Sequence, residues 1–168
     1  MTALPVEKLS ILAVDDSPHM RRLIMTVLTE FGCRKIAEAD SATSALHHLK
    51  LAPADIMILD HQMPGMGGIE FATDLRRNPE SPCPTMPIIM LTGHAKPEVV
   101  RAACDAGIND FLLKPFAPGK LIERIAAVMA TTRPFIRTDT FYGPDRRRRA
   151  DPNYAGPERR KPQVAEID

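Results

Sequence analysis

The sequence predicts a doubly wound α/β domain on a five-stranded parallel sheet, followed by an extended arginine-rich C-terminal tail. Short runs of apolar, β-forming residues alternate five times with longer stretches whose apolar residues recur at helical spacing. No tight-turn signal joins consecutive strands, so each connection has to cross over through a helix. Four of the runs end in reactive groups, at Asp15-Asp16, Asp60, Thr92 and Lys114. The carboxyl ends of parallel strands are where such sheets bind ligands.

Leu9–Val14 reads as the first buried strand. Ser17-Pro18 then offers an N-cap and a proline at the first helical position. Met20, Leu23, Ile24, Val27, Leu28 and Phe31 form one helical face, and Gly32 stops it. A short strand around Lys35–Glu38 leads to a helix through Ala42, Ala45, Leu46 and Leu49, which ends before Pro53. Ile56–Leu59 is the third strand, and the helix through Ile69, Ala72 and Leu75 runs to about Asn78-Pro79. Pro87–Leu91 is the fourth strand, and the helix Pro97–Ala106 is closed by Gly107. Asp110–Leu113 is the fifth strand, and Leu121, Ile122, Ile125, Val128 and Met129 line the last helix. A 2-1-3-4-5 strand order is one common solution, and it would make Asp15, Asp16 and Asp60 neighbours.

The 168 residues suit one domain plus an extension. Cys33, Cys83 and Cys104 lack paired or metal-like spacing, which points to reduced thiols in a cytoplasmic protein. No apolar run reaches the roughly 18 residues of a membrane span, so no membrane insertion is expected. The net charge of +1 conceals a split: residues 1–132 hold 13 Lys/Arg against 15 Asp/Glu, and residues 133–168 hold 9 against 6. The boundary is therefore placed at Thr132, with 1–132 as the globular domain. The tail is expected to lack structure until a ligand binds, because about 36 residues cannot bury a core of their own.

Three clustered acids repel one another unless a cation intervenes, and Mg²⁺ is the natural partner of an all-oxygen donor set. Asp60 could also accept a phosphoryl group as a nucleophile. Lys114 and the Thr92 hydroxyl would then meet phosphate oxygens. Lys114 precedes Pro115, where a cis peptide bond would aim the lysine into the crevice. Any one of these residues alone reads more readily as a cap, a strand residue or a solvated charge. Their joint placement at successive strand ends is what argues for a site.

Residues 8–131 resemble the receiver domain of CheY-like response regulators, a flavodoxin-like fold. The resemblance rests on Val14-Asp15-Asp16-Ser17, Asp60-His-Gln-Met-Pro-Gly-Met-Gly-Gly68, Leu91-Thr92-Gly93 and Phe111-Leu-Leu-Lys114-Pro115. It implies that Asp60 is the phosphoacceptor for a histidine kinase. It implies Mg²⁺ bound by Asp16, Asp60 and the Gln62 carbonyl, with Asp15 acting through water. Thr92 and Phe111 would be the switch pair, and Lys114 the cation that senses phosphate. Phe111 stands where a tyrosine is common, so a phenolic readout is absent. Gln62 and His94 flank the site and read as surface-loop residues. No enzymatic activity is expected beyond the receiver's own phosphoryl chemistry.

The tail contains a repeat. Phe141-Tyr142-Gly143-Pro144-Asp145-Arg146-Arg147 aligns with Tyr154-Ala155-Gly156-Pro157-Glu158-Arg159-Arg160 thirteen residues later. Arginine can donate two bonds to guanine O6 and N7, a carboxylate can accept from guanine N1–H and N2–H, and aromatic or guanidinium planes stack on bases. A plain phosphate reader has little use for the acids. Two similar arms instead suit a cyclic dinucleotide with two guanines and two phosphates. The tail also resembles that of the Cle subfamily, CheY-like proteins whose arginine-rich C-terminal segment binds cyclic di-GMP. That implies ligand contacts from Tyr142, Asp145, Arg146, Arg147, Arg148, Arg149, Asp151, Tyr154, Glu158, Arg159 and Arg160, where Arg148–Asp151 has R-x-x-D spacing. It further implies a flagellar motor switch protein as partner and recruitment to the motor. Two rivals stand beside this reading: a phosphate carrier with an incidental tail, and a nucleic-acid-binding regulator. A tail net charge of only +3 disfavours the second.

Overall fold

The computed structural model describes residues 5–131 and 133–146, together with the backbone of Gln163–Val164. After a 3-10 turn at Val6–Lys8, five strands alternate with five helices: β1 (Ser10–Val14), α1 (Pro18–Glu30), β2 (Lys35–Ala39), α2 (Ala42–Leu51), β3 (Ile56–Asp60), α3 (Gly68–Arg77), β4 (Ile88–Thr92), α4 (Pro97–Asp105), β5 (Asp110–Leu113) and α5 (Pro118–Ala130). The strands are all parallel, in the order β2-β1-β3-β4-β5. The sheet is flavodoxin-like, and β1 and β3 lie side by side as the switch-point argument requires.

The interior strands are apolar except at their ends, at Ser10, Asp60 and Thr92, because both faces are covered. Leu12, Val14, Met57, Leu59, Ile88 and Met90 pack with Ala45 and Leu49 of α2, Phe71 and Leu75 of α3, and Ala103 of α4. The alternate residues Ile11, Ala13, Ile56, Ile58, Ile89 and Leu91 pack with Ile24, Val27 and Leu28 of α1, and Leu121 and Ile125 of α5. The period of two along each strand thus divides the residues between two cores. Ser17 caps α1 by accepting from the Met20 amide at 3.3 Å, with Pro18 opening the helix as expected.

Beyond α5 the chain forms β6 (Phe135–Arg137) and β7 (Tyr142–Pro144), an antiparallel hairpin. Gln163–Val164 (β8) pairs with the other edge of β6. The expectation of a tail without structure before ligand binding therefore does not extend to residues 135–144. The hairpin borrows its core from the domain. Arg76, 1% exposed at the end of α3, sits beneath the Phe135 ring, with its guanidinium carbon 5.0 Å from the centroid. Arg76 also donates to Pro84 O (2.8 Å), Gly107 O (3.1 and 3.0 Å) and Asn109 Oδ1 (3.2 Å). Burial among carbonyls pushes this guanidinium down to about 10, so it remains charged at neutral pH.

Two glycines make the docking possible. Gly107 has φ +79°, and a Cβ there would lie 2.9 Å from Tyr142 O; a Cβ on Gly143 would lie 2.7 Å from the Gly107 Cα. Gly107 precedes β5, so the hairpin docks at the amino end of the sheet, opposite Asp60. Among the described residues, no helix is long and apolar enough to cross a membrane.

Candidate functional site

β1, β3, β4 and β5 each deliver one group to the crevice because each strand stops, in register, at the same sheet edge. Asp15 follows β1, Asp60 ends β3, Thr92 ends β4 and Lys114 follows β5. Asp15, Asp60 and Thr92 are buried, whereas Asp16 is exposed at the mouth. Carboxylate oxygens of Asp15, Asp16 and Asp60 all lie within 4.8 Å of one another. Three acids with so small a separation, one open to solvent, fit a hard divalent cation that keeps some of its waters. Gln62 is exposed in the loop after β3.

Lys114 Nζ donates to Asp60 Oδ1 at 2.6 Å and to Asp15 Oδ2 at 3.2 Å. The Lys114–Pro115 peptide bond is cis. Asp15 Oδ1 also accepts from the Ser17 amide at 2.9 Å, which fixes the carboxylate's orientation. Burial raises the Asp60 carboxyl above the usual range; Asp15 and Asp16 add to the rise, and Lys114 opposes it. Burial alone would lower the Lys114 ammonium, but its bond to Asp60 and the charges of Asp60 and Asp15 lift it above its ordinary value. The two shifts thus differ in cause: burial dominates for Asp60, and the neighbouring carboxylates outweigh burial for Lys114.

The loop after β3 closes tightly on Asp60. The Gly68 amide donates to His61 O at 2.9 Å, and a Cβ on Gly68 would lie 2.1 Å from Asp60 O. Only glycine fits there. Thr92 Oγ1 bonds His61 Nδ1 at 3.0 Å and accepts from the His94 amide at 3.1 Å. The sequence assigns His61 no role, because adjacency in sequence does not reveal that its ring turns toward β4. His94 reaches Thr92 through its backbone, with its side chain on the exposed loop. Phe111 is half-buried against the core formed with α2, α3 and α4.

Of the tail residues expected to contact ligand, Tyr142, Asp145 and Arg146 are described. Tyr142 packs edge-on to Phe135, with ring centroids 5.6 Å apart, and has the Arg137 guanidinium 4.7 Å from its centroid. The Asp145 amide donates to Pro134 O at 2.9 Å. Arg146 pairs with Asp105 at 2.8 Å. Arg147, Arg148, Arg149, Asp151, Tyr154, Glu158, Arg159 and Arg160 lie outside the described residues.

Comparison with known proteins adds the following. The response regulator receiver domain family matches residues 11–126. Chemotaxis protein CheY-3 of Vibrio cholerae is 35% identical over 125 residues, covering 74% of this chain and 95% of the relative. Chemotaxis protein CheY of Pseudomonas aeruginosa is 36% identical over 120 residues, covering 71% and 95%. Among solved structures, CheY4 of Vibrio cholerae superposes with a TM-score of 0.65 at 33% identity, over 70% of this chain and 96% of that one.

Proposed function

The chain belongs to the response regulator receiver domain family, related to the CheY chemotaxis proteins, and on that premise we propose that it is a cyclic di-GMP effector of the Cle kind. The arginine-rich tail takes up the ligand, as a stacked dimer, and the liganded protein engages a flagellar motor switch protein. The observation that carries this reading is the duplicated aromatic-x-Gly-Pro-acid-Arg-Arg arm on an intact receiver. Each arm pairs an acceptor for guanine N–H groups with donors for guanine O6, N7 and phosphate. The first arm's Tyr142 and Phe141 already have packing partners, so the base-stacking planes come from guanidinium groups and from the second arm's Tyr154.

Asp60 supplies a second input. A histidine kinase would donate to it: a carboxylate oxygen forms the new P–O bond as the P–N bond of phosphohistidine breaks. Asp16, Asp60 and the Gln62 carbonyl would hold Mg²⁺, which neutralises phosphate oxygens when bound. Lys114 has to exchange part of its bond to Asp60 for a phosphoryl oxygen. Thr92 has to exchange its bond to His61 for another.

Isothermal titration of cyclic di-GMP against the full chain tests the ligand. Binding at micromolar concentration, with a stoichiometry of two nucleotides per chain, is expected. Arg147→Ala should weaken it at least tenfold, and Asp145→Ala should narrow the preference over cyclic di-AMP. Equal affinity of the wild type for both nucleotides would overturn the role of the acids.

A further inference from the structure

The first arm of the tail is held against the domain by a contact that engages one of its ligand-reading arginines. Arg146 Nη2 lies 2.8 Å from Asp105 Oδ1, and its guanidinium carbon lies 4.2 Å from the centre of the Phe141 ring. Asp105 is the last residue of α4. Aligned peptide dipoles place partial negative charge at that helix end, so a nearby cation is favoured beside a carboxylate there.

The platform under Arg146 is firmly built. Phe141 is 8% exposed. Its amide donates to Thr138 Oγ1 at 3.0 Å, and its carbonyl accepts from the Thr138 amide at 2.7 Å. Below it, Gly143 meets Gly107, and Phe135 covers Arg76. Arg77, also at the end of α3, donates to Thr140 O. The hairpin is thus anchored at both its strands and its turn, and Arg146 is delivered to Asp105 by that anchoring.

We propose that Asp105 is an internal rival of the ligand for Arg146: the pair latches the first arm onto α4, and Arg146 has to leave Asp105 to take a phosphate or a guanine edge. This rests on the reading of the tail as a cyclic di-GMP binder. A phosphate bonded to Arg146 in its latched position would sit beside the Asp105 carboxylate, and the two anions repel. The ion pair is open to solvent, 40% exposed on the arginine and 58% on the aspartate, so it is weak enough to be broken by a dianionic ligand. The receiver would then sense the ligand at the end of α4, through loss of a cation that faces the helix terminus.

The test uses the full chain. Asp105→Asn keeps the side chain's shape and removes its charge. It should bind cyclic di-GMP about two- to fivefold more tightly than the wild type, the range of an exposed pair. The gain should vanish in an Arg146→Ala background. Without ligand, the Phe141 and Asp145 amides should exchange hydrogen faster in Asp105→Asn than in the wild type. Unchanged or weaker affinity in Asp105→Asn would overturn the rivalry. If the wild type does not bind cyclic di-GMP, the ligand reading and the rivalry fall, while faster exchange in Asp105→Asn would still establish the latch and unchanged exchange would remove that too.

Discussion

Asp60 is a carboxylate placed where a carboxylate is expensive. It is 5% exposed, close to Asp15 and Asp16, with Lys114 as its counter-charge. A carboxyl whose pKa is raised on folding stabilises the folded state below the unfolded value and loses that contribution as pH rises through the folded value. At neutral pH the ionised Asp60 is therefore a net cost. Asp60→Asn should raise the melting temperature at pH 7, by about 1 kcal/mol or roughly 3 °C. The gain should disappear below about pH 4, where the wild-type carboxyl is protonated. Thermal melts of both proteins from pH 3 to 8 check the sign. Mg²⁺ should raise the wild-type melting temperature more than that of Asp60→Asn, since the variant removes one ligand. Gly68→Ala should disturb the same site by steric means, because the added methyl meets the Asp60 carbonyl. It should destabilise by about 1–3 kcal/mol and broaden the site's NMR resonances.

At the scale of elements, α3 does two jobs. Its apolar face, Phe71, Ala72 and Leu75, fills the core, and its last turn supplies Arg76 to the hairpin. Arg76 has no acid among its named partners and is held by carbonyls and an amide oxygen. Removing it leaves Gly107 O, Pro84 O and Asn109 Oδ1 without this donor in a buried place. Arg76→Met should cost about 2–4 kcal/mol in urea denaturation and free the hairpin. Its signature is faster hydrogen exchange at Thr138 and Phe141. Gly143→Val should free the hairpin at smaller cost to the sheet, because only the docking surface is overfilled. None of this is legible in the sequence. A lone arginine in an amphipathic helix reads as a solvated charge, and Gly107 reads as a helix stop, which it is, without any hint that a second backbone lies against it.

At the scale of the molecule, the carboxylate crevice and the docked hairpin stand at opposite ends of one sheet. The carboxylates gather at the carboxyl ends of the strands, and the hairpin docks beside Gly107 at the amino end of β5. Truncation after Thr131 should therefore do more than remove the proposed ligand contacts. It uncovers Arg76 and Gly107, and should lower receiver stability by about 1–2 kcal/mol in chemical denaturation. An unchanged unfolding midpoint would show that the docked hairpin adds nothing to the domain. The isolated segment 133–168 should bind cyclic di-GMP differently from the full chain, because it lacks Asp105 and the docking surface.

The sequence by itself determined the parallel sheet, the four crossovers and the four strand-end groups. Those follow from local periodicity, from the placement of Gly and Pro, and from the rule that parallel strands present their carboxyl ends together. It also displayed the repeated arm, since a repeat is a property of sequence alone. Tertiary structure decided the rest. The His61–Thr92 bond, the tight fit of Gly68, the buried Arg76 and the Arg146–Asp105 pair each join residues far apart in the chain or depend on a backbone approach. Such contacts leave no periodic trace. The hairpin at residues 135–144, inside the 133–168 tail expected to await a ligand, belongs here too: a short segment cannot build its own core, but it can complete one that the domain leaves open.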